Sequence, residues 1–465
     1  MKTNKSILSL IAAGLLLVSC DSYLDIQPKG ELIPETAADY EYLLNHPQLQ
    51  KAADVYPNYM TDDVYLADVS TDGLSPSMLT AEQYIKNLYT FDKTVYGESE
   101  TDNMWTNTYA RIYYYNVLID KVMDATEATT QEKRSLRAEA LMCRAFEYLN
   151  LVNCYARQYD PATAATDPGV PLILHADISM KNLSRSTVQQ VYNQIMADLK
   201  EADPDLPLKP KHNAMRASKS VGLGMLARMY LYMGDYKQAL TYANQSLEVN
   251  KALINLNDYA DPNPMKAIGR IDVPSGADNP ENIFVRFAPY VFGLSLAVCG
   301  SDELMQLFTP NDKRLQLYFT KSAFGIDFAN EVWMPYIQAN LAMSTPEMYL
   351  IAAECEARLG SKDRAMSLIN TLRDNRIAQN VPLTASSNDE AVKLVLDERR
   401  RELTMNGLAR FIDLRRLNKE TRFAKSITHV VEGKNYTLAP NDPKYVLPIP
   451  AKVLRFNPNM EDNPR

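Results

Sequence analysis

The chain has 465 residues, 46% of them hydrophobic, and a formal net charge of −8 at pH 7. That length supports one large domain or two to three ordinary ones, with ample core. An acidic chain without a basic tract argues against nucleic acid as a partner, and against charge-driven binding to an anionic membrane surface.

The first predicted element is an export signal. Lys2 and Lys5 precede an apolar run from Ile7 to Val18. As a helix that run spans about 18 Å, short of the roughly 30 Å hydrocarbon core, so a cleaved signal fits better than a membrane span. It ends Leu17-Val18-Ser19-Cys20, the pattern of a bacterial lipoprotein signal. The expectation is cleavage before Cys20 and lipid on its thiol, an anchor that needs no spanning helix. Losing Lys2 and Lys5 with residues 1–19 moves the formal charge from −8 to −10. Cys143, Cys154, Cys299 and Cys355 remain. The first two fall on one predicted helix, about 16 Å apart and beyond the ~7 Å reach of a disulfide. All four read as small buried apolar residues rather than a disulfide framework.

A tyrosine-rich segment of loops follows from Asp54 to Asn103, and then a helix from Trp105 to Met123. Helices over Glu132–Arg157 and Thr187–Asp203 form a plausible pair. The clearest pattern is Met225 to Asn250. Leu226, Ala227 and Tyr230 share one face, Gly234-Asp235 breaks the helix, and Tyr236, Ala239, Leu240, Ala243, Ser246 and Leu247 line a second. Leu226, Tyr230, Gly234, Tyr236 and Ala239 resemble a tetratricopeptide repeat, with Lys251 where the closing proline usually stands. After a loop-rich insert of about 251–345, a degenerate second copy runs from Tyr349 to Arg376, with Gly360 at the turn and Ala365 at the close-packing position. A last pair joins Asp389–Asn406 to a shorter helix over Gly407–Leu417. The fold class is therefore mainly α: about four degenerate repeat pairs form a scaffold, and long irregular loops with a few short strands carry the ligand site. The short strands are expected within Phe284–Cys299 and Leu315–Tyr336.

No catalytic constellation stands out. His46, His175, His212 and His429 are isolated, so no metal site is expected. There is no G-x-S-x-G and no phosphate loop. Asp62-Asp63 is a carboxylate pair, but adjacent residues rarely converge on one substrate, and the separation of two catalytic carboxyls is set by the fold. The run Asp397 to Glu402, DERRRE, reads as ion pairs at i,i+3 and i,i+4 that tie the last helices to neighbours. The expectation is a non-enzyme without a cofactor.

Several segments together resemble the SusD/RagB family. They are Arg137 to Tyr155 followed by Gly169-Val170-Pro171-Leu172, Ser186 to Pro207, Glu398 to Leu417 and Leu447 to Pro464, in the family's order. The resemblance covers essentially the whole mature chain. It implies one SusD-like domain over 20–465, with an N-terminal part to about 210 and a C-terminal part from about 211. It implies an outer-membrane lipoprotein of Bacteroidetes, anchored through Cys20 and facing the cell exterior. Such a protein is the lid of a SusC-like TonB-dependent transporter, and it captures oligo- or polysaccharide. A peptide ligand in the same lid, or a repeat scaffold without a small ligand, are the alternatives. Acidic residues just after the cysteine, here Asp21 and Asp25, are consistent with surface export.

Family sites combine aromatics from an N-terminal loop region and from the insert, which here are roughly 56–104 and 285–335. Aromatic faces stack on sugar C–H faces, and polar side chains pair with hydroxyls. The candidates are Tyr65, Tyr96, Tyr290, Phe292, Tyr318 and Trp333, with Asp68, Asn103, Arg286 and Asp327 as polar partners. Each has a plainer reading. Trp105, Tyr109, Ile112 and Asn116 repeat at helical spacing, which favours core packing for Trp105. Tyr113, Tyr114 and Tyr115 lie 100° apart on a helix and cannot share one core. Trp333 and Tyr336 could cap the following helix. Tyr290 and Phe292 sit in an alternating pattern, so one alternate face is expected to be buried. With 2 tryptophans in the chain, the platform is modest or tyrosine-based, which leaves room for a peptide.

Overall fold

The computed structural model describes residues 34–465 apart from 73–74, 260–273, 275, 289–297, 324 and 336–339. The predicted signal, Cys20, Tyr290, Phe292 and Tyr336 lie outside the described residues.

Helices dominate: α1 (Ala37–Leu44), α2 (Gln83–Tyr89), α3 (Asn103–Lys121), α4 (Thr130–Tyr155), α5 (Val188–Ala202), α6 (Lys219–Met233) and α7 (Tyr236–Val249) precede the insert. The short α8 (Asp302–Met305) and α9 (Lys313–Tyr318) lie within it. After it come α10 (Thr345–Arg358), α11 (Lys362–Asp374), α12 (Asn388–Glu402), α13 (Ala409–Leu417) and α14 (Ala451–Phe456). The strands are β1 (Val64–Tyr65), β2 (Asn282–Phe284), β3 (Cys299–Gly300), β4 (Phe319–Ala323), β5 (Ile326–Trp333), β6 (Met343–Ser344), β7 (Ile427–Val431) and β8 (Lys434–Leu438). No helix among the described residues is long and apolar enough to cross a membrane.

Local chemistry sets the helix ends. Thr187 and Gln190 form a capping box at the start of α5, satisfying two otherwise orphaned amides. Gly234 ends α6 in the left-handed region at φ 80°, and the Asp235 carboxylate accepts from Gln238 N to start α7. Ala239, Ala243 and Ser246 are buried against α6. There the Ser246 hydroxyl donates to Ser220 O at 2.8 Å, a contact only small side chains permit.

Neighbouring helices stack in sequence order: α3 on α4, α4 on α5, α6 with α7, α7 on α10, and α10 with α11. One core cluster runs from Tyr40 to Met460, and a second fills the space between α10, α11 and α12. Trp105 is core, edge-on to Tyr155. Tyr115 is buried, and Tyr114 is exposed beside His46. The four described cysteines are buried and free.

The last expected pair differs. α12 packs mainly on α10 and α11 rather than on α13. Its final turn carries charges rather than an apolar face, and α13 is joined to it through ion pairs. Three successive arginines leave a helix about 100° apart, so each meets a different neighbour. Arg399 Nε reaches Asp413 at 2.8 Å rather than Glu402, Arg400 Nε reaches Asp63 at 2.5 Å, and Arg401 pairs with Glu398. Glu398 and Glu402 both receive Arg314, and Glu402 also receives Arg376.

The strands order the loops. A four-stranded antiparallel sheet runs β1-β3-β5-β4. It unites the N-terminal loop region, which supplies β1, with the insert, which supplies the rest. β2 pairs with β6 at the base of the insert, and β7 and β8 form a hairpin turned at Glu432-Gly433 with positive φ at both residues, as such tight turns require.

Candidate functional site

The β1-β3-β5-β4 sheet is where the two expected site regions meet. Val64 pairs with Gly300 and Tyr65 with Cys299. β1 is fixed from behind. Asp63, just before it, accepts from Arg400, and Asp62 is gripped by Arg410 at 2.7 Å and Lys425 at 2.6 Å. Burial works to raise the Asp62 carboxyl, but Arg410, Arg400 and Lys425 outweigh it and hold it below the usual range. Asp62 and Asp63 are therefore held in place by cations behind the sheet. His429 on β7 stacks on Tyr89, 4.0 Å between ring centres, and its ring nitrogens lie 2.7 and 3.0 Å from the carbonyls of Tyr89 and Thr61. The next amide, Leu66 N, donates to Tyr89 Oη at 3.1 Å.

These contacts leave the Tyr65 ring outward, 39% exposed. Its phenol is pushed up from the usual value by partial burial and by Asp68, with smaller effects from Cys299 and Asp302. An exposed aromatic face thus lies within electrostatic reach of two carboxylates, Asp68 and Asp302. Asp68 is oriented by Glu432 N, which donates to it at 2.8 Å. Asp72 gathers Ser75 N at 2.6 Å and Ala329 N of β5 at 3.3 Å, closing the loop after β1 onto the sheet. Asp327 is exposed near the tip of the β4–β5 hairpin, opposite Ser322. Asp302, which no pattern singled out, reaches the site because β3 pairs with β1 and Ser301 O–H and N–H bond to Asp62 O and Asp63 O.

The other candidates lie elsewhere. Trp333 is 5% exposed, and with the half-buried Tyr318 it lines an inner cavity of about 80 Å³ beside Glu281 and Glu402. That volume is well below the roughly 300 Å³ at which small-molecule pockets begin. Strand register decides this: Trp333 pairs with Phe319, and both residues face the core. Tyr96 stacks on Tyr84 and meets Tyr56 edge-on, while Tyr56 and Tyr155 both donate to the buried Asp102. Asn103 is the exposed first residue of α3, behind its cap Asp102. Arg286 is buried, lying 3.9 Å over the Phe284 ring and donating to Met215 O at 2.9 Å. Among the described residues, no group of three His, Cys, Asp or Glu side chains is placed to hold a metal ion.

A family model described as starch-binding, associating with the outer membrane, matches residues 22–231, and the SusD family model matches residues 336–465. SusD-like protein P38 of Formosa agariphila is 24% identical over 99% of this chain and 98% of its own. SusD-like protein P25 of the same organism is 23% identical over 95% and 94%. A SusD superfamily protein from Bacteroides thetaiotaomicron superposes with a TM-score of 0.71, at 20% identity over 92% of this chain and all of that one. A SusD-like carbohydrate binding protein from Bacteroides vulgatus gives 0.65, at 21% identity over 92% and 97%.

Proposed function

This chain belongs to the SusD/RagB family, and from that premise we propose that it captures oligo- or polysaccharide at the cell surface and serves as the lid of a SusC-like TonB-dependent transporter. The mature protein begins at Cys20, carries its lipid there and works as one unit on the outer face of the outer membrane. The observation that supports ligand capture is the Tyr65 ring, exposed on a sheet built from both loop regions, with Asp68 and Asp302 near enough to act on its phenol. A pyranose stacks its C–H face on that ring, and the flanking carboxylates accept from its hydroxyls. Asp327 extends the polar rim, and Tyr290 and Phe292 belong to the same insert.

The test is retardation of residues 21–465, without lipid, in native gels cast with different polysaccharides, beside calorimetry with mixed peptides. Slowing by one glycan, lost in Tyr65→Ala at unchanged melting temperature, supports the reading. Silence on glycans with heat from peptides favours a peptide-capturing lid. One observation already speaks for that second reading: Trp105 and Trp333 are both packed inside. Binding of neither class by the chain alone or by its complex with the transporter leaves a scaffold without a small ligand.

A further inference from the structure

The exposed Tyr65 ring stands among carboxylates that the fold brings together from separate parts of the chain. Tyr65 pairs with Cys299. The chain runs on from Cys299 through Ser301, which is tied to Asp62 O and Asp63 O, into Asp302 at the start of α8. Asp68, three residues past Tyr65, accepts from Glu432 N at 2.8 Å, which brings the tip of the β7–β8 hairpin to the same loop. Ala329 N of β5 donates to Asp72 at 3.3 Å, so the strand that begins beside Asp327 is also tied to that loop. Asp68, Asp302, Asp327 and Glu432 are all exposed, and none forms an ion pair with a described cation. The neighbouring cations are mostly engaged. Lys321 is taken by Glu331 at 2.9 Å, Lys425 by Asp62 and Glu303, and Lys86 donates to Leu79 O at 3.4 Å. Lys434 stands on β8 opposite Val431.

The backbone that continues from β1 is already paired. Leu66 N donates to Tyr89 Oη at 3.1 Å, and Ala67 O accepts from Met78 N at 2.7 Å. A peptide that added itself there as a strand would need those groups. The ligand is therefore addressed by side chains, and these are an aromatic face and carboxylates. Both attract a cation: the ring through its π density, the carboxylates by Coulomb's law. A uronate or a sulfated sugar would be repelled by the same carboxylates. A neutral sugar would gain only hydrogen bonds from them.

We propose that the Tyr65 face selects a glycan carrying free amino groups, with a sugar stacked on the ring and its ammonium drawn to Asp68 and Asp302. The assignment rests on Tyr65 being a glycan-capture face, and it names the charge class of the substrate.

The experiment is calorimetry of residues 21–465 at pH 6, where an amine is protonated and exposed carboxylates are ionised. The probes are β-1,4-linked hexamers of glucosamine, glucose and glucuronate, with hexalysine beside them. The glucosamine hexamer should bind about ten-fold more tightly than the glucose hexamer, the sum of a cation–π contact and two exposed ion pairs. The glucuronate hexamer should give no heat. Tyr65→Ala should abolish the binding. Asp68→Asn, which keeps an acceptor for Glu432 N, and Asp302→Asn should each weaken it about three-fold at unchanged melting temperature. Glu248→Gln, an exposed change on α7, should leave it untouched. Equal weakening by Glu248→Gln would mean general attraction to an acidic chain, and it overturns the proposal. Glucose or glucuronate binding as tightly as glucosamine, and lost in Tyr65→Ala, overturns charge selection while glycan capture at Tyr65 stands. Hexalysine binding through Tyr65 with silence from glucosamine overturns it in favour of a basic peptide. Silence on every probe overturns it too, and the gel screen with other polysaccharides then decides whether Tyr65 captures glycan at all.

Discussion

Arg400 Nε donates to Asp63 Oδ1 at 2.5 Å, joining α12 to the residue that precedes the Tyr65 strand, 337 positions away. Asp63 is 1% exposed. Removing the cation leaves a buried carboxylate without its main partner, a change that costs about 3–5 kcal/mol. Arg400→Met should lower the urea unfolding free energy by that order. Adding Asp63→Asn should recover part of the loss, since no uncompensated charge remains. Full additivity of the two losses would show that the pair does not act as a unit.

Tyr65 and Trp333 belong to the same sheet and should respond oppositely. Tyr65→Ala removes an exposed ring, so thermal unfolding should shift by less than about 0.5 kcal/mol. Trp333→Ala empties a packed position and should cost about 3–5 kcal/mol. Because both tryptophans are buried, saturating ligand should leave intrinsic tryptophan emission nearly unchanged. A large quench or blue shift would place a tryptophan in the ligand site.

The scaffold was legible because its signals are local. Gly234 and Gly360 at turns, and small residues at Ala239, Ala243 and Ala365, mark where a helix stops and how closely its partner comes. The sheet was not. Alternation along β5 marks two faces but not which one meets solvent; Trp333 turns inward because Phe319 lies opposite it. Asp302 gave no signal at all, since its nearness to Tyr65 depends on pairing between β1 and β3, more than 200 residues apart. The DERRRE run was half legible. Glu398–Arg401 is the expected local pair, but Arg399 and Arg400 reach partners that only the tertiary fold supplies.

Gly169, in the segment that resembles the family's Gly-Val-Pro-Leu hallmark, is held against the start of α5. Its N–H donates to Ser186 O at 2.7 Å. A Cβ there would lie 2.8 Å from Ser186 O and 2.9 Å from the Thr187 carbonyl carbon, both backbone atoms that cannot swing aside. Gly169→Ala should therefore cost about 1–3 kcal/mol through forced displacement. Gly234→Ala meets nothing within 4 Å and is opposed only by its φ of +80°, so about 1 kcal/mol is expected. Urea titration of both variants checks the order.

Asp54 gives the chain a pH dependence of unusual sign. Burial pushes its carboxyl from 3.8 up to about 6, with Arg111 opposing and Asp102 adding to the rise. The folded state thus holds this proton more tightly than the unfolded chain does. Its contribution to stability is complete below pH 3.8, falls as pH rises through about 6, and is constant above. Asp54→Asn removes the cost of charging the site. It should stabilise the protein at pH 8 by up to about 3 kcal/mol, with the gain vanishing near pH 4. Glu354 and Glu398 run the other way. Burial opposes their charge, but Arg416 at Glu354 and Arg314 at Glu398 prevail, drawing each from 4.5 down to about 2. The stability they supply is present above pH 4.5 and is lost as pH falls toward 2. Urea unfolding from pH 3 to 8 should show an acid limb that Asp54→Asn leaves in place and a neutral limb that it lifts. A uniform lift at every pH would mean that Asp54 does not titrate between its folded and unfolded values.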